Sequence, residues 1–286
     1  MEKLEELVKR YPQRTDTVSG RPFTYRYYRN PASDKTVVLL TGGIGLSDLL
    51  LFHFAEFAKS YSVITFDYSA EYPDVRELTD AVAGLLRALD VKAYFVGQSL
   101  GGFLAQIIAK QHPDVTVGMV LSNTGTLSVR LDAEGEKCLR DMLKRTDQLQ
   151  LLIKTLPFSL VRRKMRKSVE EAIAEQFDSG IAGEFLDGML RSLTKDYALH
   201  MTRLLKDLEN HWDMTEADFL RYEKKVLLIL SEDDETFNGS VKRALREVMP
   251  NPAVVTDIRG GHLALLLDID RYTKTIRAFI DSVESP

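Results

Sequence analysis

Short apolar, β-branched runs alternating with longer amphipathic patterns predict an α/β fold, a mostly parallel sheet flanked by helices. Three observations carry that class. Buried-strand runs stand at 36–40, 62–66, 93–96, 116–121, 226–230 and 253–256. Between them, Leu78, Val82, Leu85, Leu86 and Leu89 repeat at helical spacing, and Tyr272, Ile276, Phe279, Ile280 and Val283 do so near the end. The strand rhythm stops between about 124 and 219 and resumes at Lys225, so a helical block is inserted between two strands of one sheet.

At the start, a helix over about 2–9 leads into two alternating segments around Ser19-Gly20-Arg21-Pro22, a hairpin signal. The inserted block reads as a cap. Residues 1–124 and 220–286 then make the core, with 125–219 as the cap insertion. Because the block follows one strand and precedes another, both its ends are expected at the carboxyl edge of the sheet. Inside it, Ser168…Glu171 reads as a capping box ahead of an apolar run, and Leu190, Leu193, Tyr197 and Met201 form an apolar stripe.

Composition narrows the function classes. The 286 residues are 44% hydrophobic and 28% charged, enough for a large core without metal or disulfide staples. With 42 acidic against 38 basic residues and a net charge of -4, nucleic acid is not expected as a partner. Cys138 is the only cysteine, which excludes an internal disulfide framework and any Cys-rich metal site. Residues 1–6 mix charges and lack an apolar h-region, and no run of about 18 apolar residues occurs. A cytoplasmic protein without membrane insertion is the expectation.

The strongest chemical signal is Gly97-Gln98-Ser99-Leu100-Gly101-Gly102, which follows the run Tyr94-Phe95-Val96 and opens a helical pattern. A serine on a sharp strand-to-helix turn needs strained backbone and neighbours without side chains. The turn lifts its hydroxyl into the open, where the helix N-terminus favours developing negative charge. Ser99 is therefore the candidate nucleophile.

A serine hydroxyl needs a base to take its proton. Of five histidines, only His262 directly follows the last strand, after Gly260-Gly261, and so shares the carboxyl edge with Ser99. His53 and His112 belong to helical patterns, while His200 and His211 lie in the inserted block. The base in turn needs a carboxylate to hold its tautomer. Ser231-Glu232-Asp233-Asp234-Glu235 supplies four acids after the run 226–230, and Asp234 is the choice, with Asp233 as rival. Upstream, Thr41-Gly42-Gly43-Ile44-Gly45 is a glycine-rich loop after a strand. The N–H of Leu100 is one candidate oxyanion donor and that of Gly43 the other, with Ile44 as alternative.

The order Ser99…Asp234…His262, each after a strand and with the glycine loop upstream, resembles the serine-nucleophile branch of the α/β-hydrolase superfamily. The likeness spans about residues 23–280. Locally, residues 99–106 are also similar to the corresponding segment of maspardin. The resemblance implies an α/β-hydrolase fold with a helical cap and an acyl-enzyme mechanism on small-molecule esters, without a cofactor. Two positions depart from the family habit: Thr41-Gly42 stands where His-Gly is common, and Asp67-Tyr68-Ser69-Ala70 where a glycine-rich turn is common.

Other classes fit less well. Gly43-Ile44-Gly45 with Asp67 imitates a dinucleotide fingerprint, but Asp48 takes the place of its third glycine. A binding or interaction module on the same fold is the rival from outside enzymology. The basic run 162–167, five bases in six residues, reads as a solvated segment beside Glu170 and Glu171. Attraction of an acidic substrate or an anionic surface is its functional alternative.

Overall fold

A computed structural model describes residues 4–173 and 193–283 of the chain. Its strands are Arg14–Val18 (β1), Arg21–Tyr28 (β2), Thr36–Leu40 (β3), Ser62–Phe66 (β4), Ala93–Gln98 (β5), Thr116–Ser122 (β6), Val226–Ile229 (β7) and Ala253–Val255 (β8). They form one sheet in the order β1-β2-β4-β3-β5-β6-β7-β8. The hairpin β1–β2 turns through Ser19 and Gly20, both at positive φ, and β2 runs antiparallel to β4. Every later pairing is parallel.

Every residue of β3, β4 and β5 is buried, because helices cover both faces. Side-chain alternation divides the core in two. Val38, Leu40, Ile64, Phe66, Phe95, Met119 and Leu121 face one side, where Val75–Ala88 (α3) and Leu100–Gln111 (α4) pack. Val37, Leu39, Val63, Val96, Val120 and Ile229 face the other, in one cluster with Leu4–Arg10 (α1), Leu51–Ala58 (α2) and Ile269–Ser282. The stripes of α3 and of Ile269–Ser282 are those the spacing predicts. Asp74 starts α3 by accepting the Glu77 N–H at 2.8 Å, and Asp268 accepts the Arg271 N–H at 3.0 Å.

Between β6 and β7 the described residues hold no strand of the sheet. They form the helices Ala133–Thr155 (α5), Phe158–Ile173 (α6) and Lys195–Asp207 (α7). Two expectations are corrected here. Parallel pairing of Met119 with Val226 puts the start of β7 at the amino edge. The block therefore enters at the carboxyl edge but leaves at the amino edge. Its end descends the flank of α4, where the Tyr222 hydroxyl donates to the Ala109 carbonyl at 2.9 Å. Ser168 starts no helix either, because α6 runs through it unbroken. The upstream arginines, lysines and Met165 are good helix formers, so nothing stops propagation for a cap to restart. Leu190 lies outside the described residues.

Candidate active site

Ser99 sits between β5 and α4 at φ 52° and ψ −117°, a left-handed region costly for any residue with a Cβ. The surrounding contacts impose it. The Ser99 N–H donates to the Ser122 carbonyl at 3.0 Å, and the Thr124 hydroxyl donates to the Ser99 carbonyl at 2.7 Å. Two residues later a Cβ on Gly101 would overlap the Leu40 carbonyl, so only glycine lets α4 start this close to β3.

Three of the predicted residues converge. The Oγ of Ser99 lies 3.0 Å from His262 Nε2, and His262 Nδ1 lies 3.2 Å from Asp234 Oδ2. The Asp234 side chain is fully buried and that of His262 is 27% exposed. The other Asp234 oxygen, Oδ1, accepts the Thr236 N–H at 2.8 Å. Burial opposes ionisation of Asp234, but the hydrogen bond and charge of His262, with the Thr236 N–H, hold its carboxyl below the ordinary value. A carboxylate in that position favours the tautomer with its proton on Nδ1, leaving Nε2 free to accept from the serine.

The rival acid has a different place. Asp233 Oδ2 accepts the Gly260 N–H at 2.9 Å, which ties the acidic turn to the loop carrying His262. Two residues to which the sequence reading gives no role hold the same loop. Asn123, at φ 39°, donates from Nδ2 to the Gly261 carbonyl at 2.8 Å and accepts the Ser231 N–H at 2.9 Å. Gln98 donates from Nε2 to the His262 carbonyl at 3.0 Å. A left-handed asparagine directly after a strand is the signal that could have pointed to Asn123.

The loop after β3 faces the serine across a cavity of about 190 Å³. Its wall includes Thr41, Gly43, Ile44, Leu263 and Leu266, and both Ser99 and His262 open onto it. Leu100 is the first residue of α4, so its N–H has no partner one turn back in the helix. Gly43 has ordinary room for a side chain, its nearest neighbour being Leu205 at 3.5 Å. Gly45 has none: at φ 74°, a Cβ there would collide with Met201 and the Tyr197 hydroxyl of α7. In the same loop, the N–H and hydroxyl of Ser47 donate to Asp67 Oδ1 at 2.7 and 2.6 Å. Asp67 thus fastens a turn, and Asp48 pairs with Arg26 at 2.7 Å.

The order and mostly parallel pairing of the sheet agree with what the comparisons find. Residues 37–275 match the family model described as Alpha/beta hydrolase family. The chain belongs to the α/β hydrolase family. Among relatives of this α/β hydrolase, the "Uncharacterized hydrolase YugF" of Bacillus subtilis (strain 168) is 24% identical over 273 residues, covering 88% of this chain and 92% of its own. A "Putative carbamate hydrolase RutD" of Serratia proteamaculans (strain 568) is 23% identical over 258 residues, covering 86% of this chain and 90% of its own. In fold, the enol-lactonase of Burkholderia xenovorans LB400 superposes with a TM-score of 0.72 at 16% identity, over 94% of this chain and all of that one (100%). Among the described residues, no helix is long and apolar enough to cross a membrane.

Proposed function

We propose that this α/β hydrolase is a serine hydrolase cleaving carboxylic esters of small or medium size through an acyl-enzyme. The observation that supports it is the unbroken line Ser99 Oγ, His262 Nε2, His262 Nδ1, Asp234 Oδ2, with steps of 3.0 and 3.2 Å, beside a cavity. In this reading His262 takes the Ser99 proton as Oγ bonds to the ester carbonyl carbon. The carbonyl oxygen becomes an oxyanion held by the N–H groups of Leu100 and Gly43. As the tetrahedral adduct collapses, the C–O bond to the alcohol breaks and His262 gives that oxygen its proton. Water, deprotonated by His262, then attacks the acyl carbon and releases the acid, and Ser99 regains its proton. Asp234 keeps its charge throughout and steadies the imidazolium. No step draws on a cofactor.

The helices α5 to α7 serve as a cap in this account. Ile153, Val161, Leu193 and Ala198 cluster against Ile44, Leu46, Leu49 and Leu263, and three of these, Ile44, Leu49 and Leu263, line the cavity. A largely apolar space of about 190 Å³ is smaller than pockets for drug-sized ligands, roughly 300 Å³ and upward, so a compact acyl group fits best. The lactone named for one structural neighbour is a cyclic ester, and the carbamate named for a relative would be cleaved by the same steps. A cytoplasmic address goes with soluble substrates of this size. A panel of p-nitrophenyl esters of increasing acyl length, with a carbamate and a lactone, tests the reading. Turnover should peak at short to medium acyl chains, and dissolved p-nitrophenyl butyrate should outpace emulsified tributyrin. A rate that jumps when ester passes its solubility limit would instead make the cap a lipase lid.

A further inference from the structure

We propose that the outer face of the elbow between α5 and α6 docks on the surface of an anionic lipid bilayer. Between residues 151 and 167 the chain carries six basic residues, Lys154, Arg162, Arg163, Lys164, Arg166 and Lys167, and no acidic one, within a protein of net charge -4. Basic residues alone make a solvated helix face. What changes the reading here is the company they keep.

The described residues include six exposed large hydrophobics, and three of them belong to this elbow: Leu151, Leu156 and Leu160, at 62%, 41% and 53% exposure. Helix α5 ends at Thr155 and α6 begins at Phe158, so all three lie within a turn of the same corner. Spacing places the charges beside them. Leu160, Arg163, Lys164 and Lys167 fall at i, i+3, i+4 and i+7 on α6, and Leu151 and Lys154 at i and i+3 on α5. The four on α6 are exposed, whereas Val161 is buried and Phe158 and Met165 are half-buried on the opposite face. Scattered single leucines on a surface need no explanation, but three at one corner ringed by bases do. Leucine tips enter the headgroup boundary while lysine and arginine meet lipid phosphates, which is how peripheral amphipathic segments hold to charged membranes.

The inner side of the elbow looks toward the cavity. Ile153 and Val161 cluster with Ile44 and Leu263, which line it beside Ser99. Docking would set the cavity mouth near the lipid interface while no helix enters the bilayer. The proposal stands whether or not Ser99 is the nucleophile.

Co-sedimentation of the 286-residue chain with two kinds of vesicle tests it, phosphatidylcholine alone and phosphatidylcholine mixed with phosphatidylglycerol. The protein should sediment with the mixed vesicles only, and the bound fraction should fall in about 0.5 M NaCl, where charges are screened. The triple variant Lys154→Glu, Arg163→Glu, Lys164→Glu should lower partitioning by at least roughly a hundredfold. Leu156→Ser with Leu160→Ser should lower it roughly tenfold. Unchanged circular dichroism and unchanged p-nitrophenyl butyrate turnover without vesicles show that both variants fold. Equal binding to the two vesicle types, no binding to either, or full binding by the triple variant would overturn the proposal. Capture by polyglutamate with no vesicle binding would also overturn it, in favour of an acidic protein partner.

Discussion

The phenolic hydroxyl of Tyr197 donates to the carbonyl oxygen of Gly45 at 2.7 Å, joining helix α7 to the loop that carries the proposed oxyanion donor Gly43. That carbonyl also accepts the Tyr68 N–H at 3.0 Å, so the loop is gripped from the sheet and from the inserted block together. Burial pushes the Tyr197 hydroxyl far above its ordinary value, so it stays a donor throughout the working range.

Tyr197→Phe removes the donor and keeps the ring. The loss in stability should be about 1 kcal/mol, the net worth of one hydrogen bond. If the bond positions the oxyanion loop, kcat should fall roughly tenfold with KM nearly unchanged, since only transition-state contacts suffer. A steady-state rate series on p-nitrophenyl butyrate separates the two parameters. An unchanged kcat would mean that the tyrosine only anchors the helix.

Much of this arrangement was legible in the sequence, and the reason is locality. The turn at Ser99 is specified by its own glycines and by the strand and helix on either side. His262 and Asp234 stand out because each lies in the loop that follows a strand, β8 ending at Val255 and β7 at Ile229. What escaped depends on distant partners. Asn123 reaches a residue 138 positions away and Gln98 one 164 positions away, and no short-range pattern encodes either bond. The Ser168 capping signal misled for a related reason, because a serine and a glutamate three apart suit a helix interior as well as a start. The placement of both ends of the block at one edge failed because parallel pairing sets where β7 begins, and pairing is a property of the assembled sheet.

Asp234 and Asp233 should separate sharply on substitution. Asp234→Asn leaves the volume but offers His262 the wrong partner, and in comparable triads this loss is roughly 10⁴ in kcat. Asp233→Asn only loosens the Gly260 loop and should cost less than roughly tenfold. Turnover of both variants, with folding checked by circular dichroism, gives the order. The reverse order would move the role to Asp233.

Ser99→Ala and His262→Gln should each remove nearly all turnover, a loss of several powers of ten, and the double variant should be no slower than either. Groups acting in one proton transfer are not additive. Additive losses in the three rate measurements would show that the two side chains work in separate steps.

Acid should destabilise the fold through a histidine that takes no part in the proposed proton transfer. His53 is buried with Nε2 2.9 Å from the Leu265 carbonyl, and burial lowers its pKa from 6.5 to about 4, only partly offset by that hydrogen bond. Between those values the unfolded chain takes up a proton that the native protein refuses, so stability rises with pH and falls on acidification. Down to pH 5 the loss from this group is about 2 kcal/mol. Urea melts at pH 7.5 and 5 should show it, and His53→Leu should shrink the difference between them. An equal difference in the variant would assign the acid sensitivity elsewhere.

The most direct test of the central claim is covalent. A fluorophosphonate probe phosphonylates an activated serine and should add its mass at one site, the peptide carrying Ser99. Ser99→Ala should abolish the adduct and His262→Gln should slow its formation by several powers of ten. A native protein that stays unlabelled would contradict the account and leave the fold as a binding module, and labelling elsewhere would contradict it by giving the role to another nucleophile.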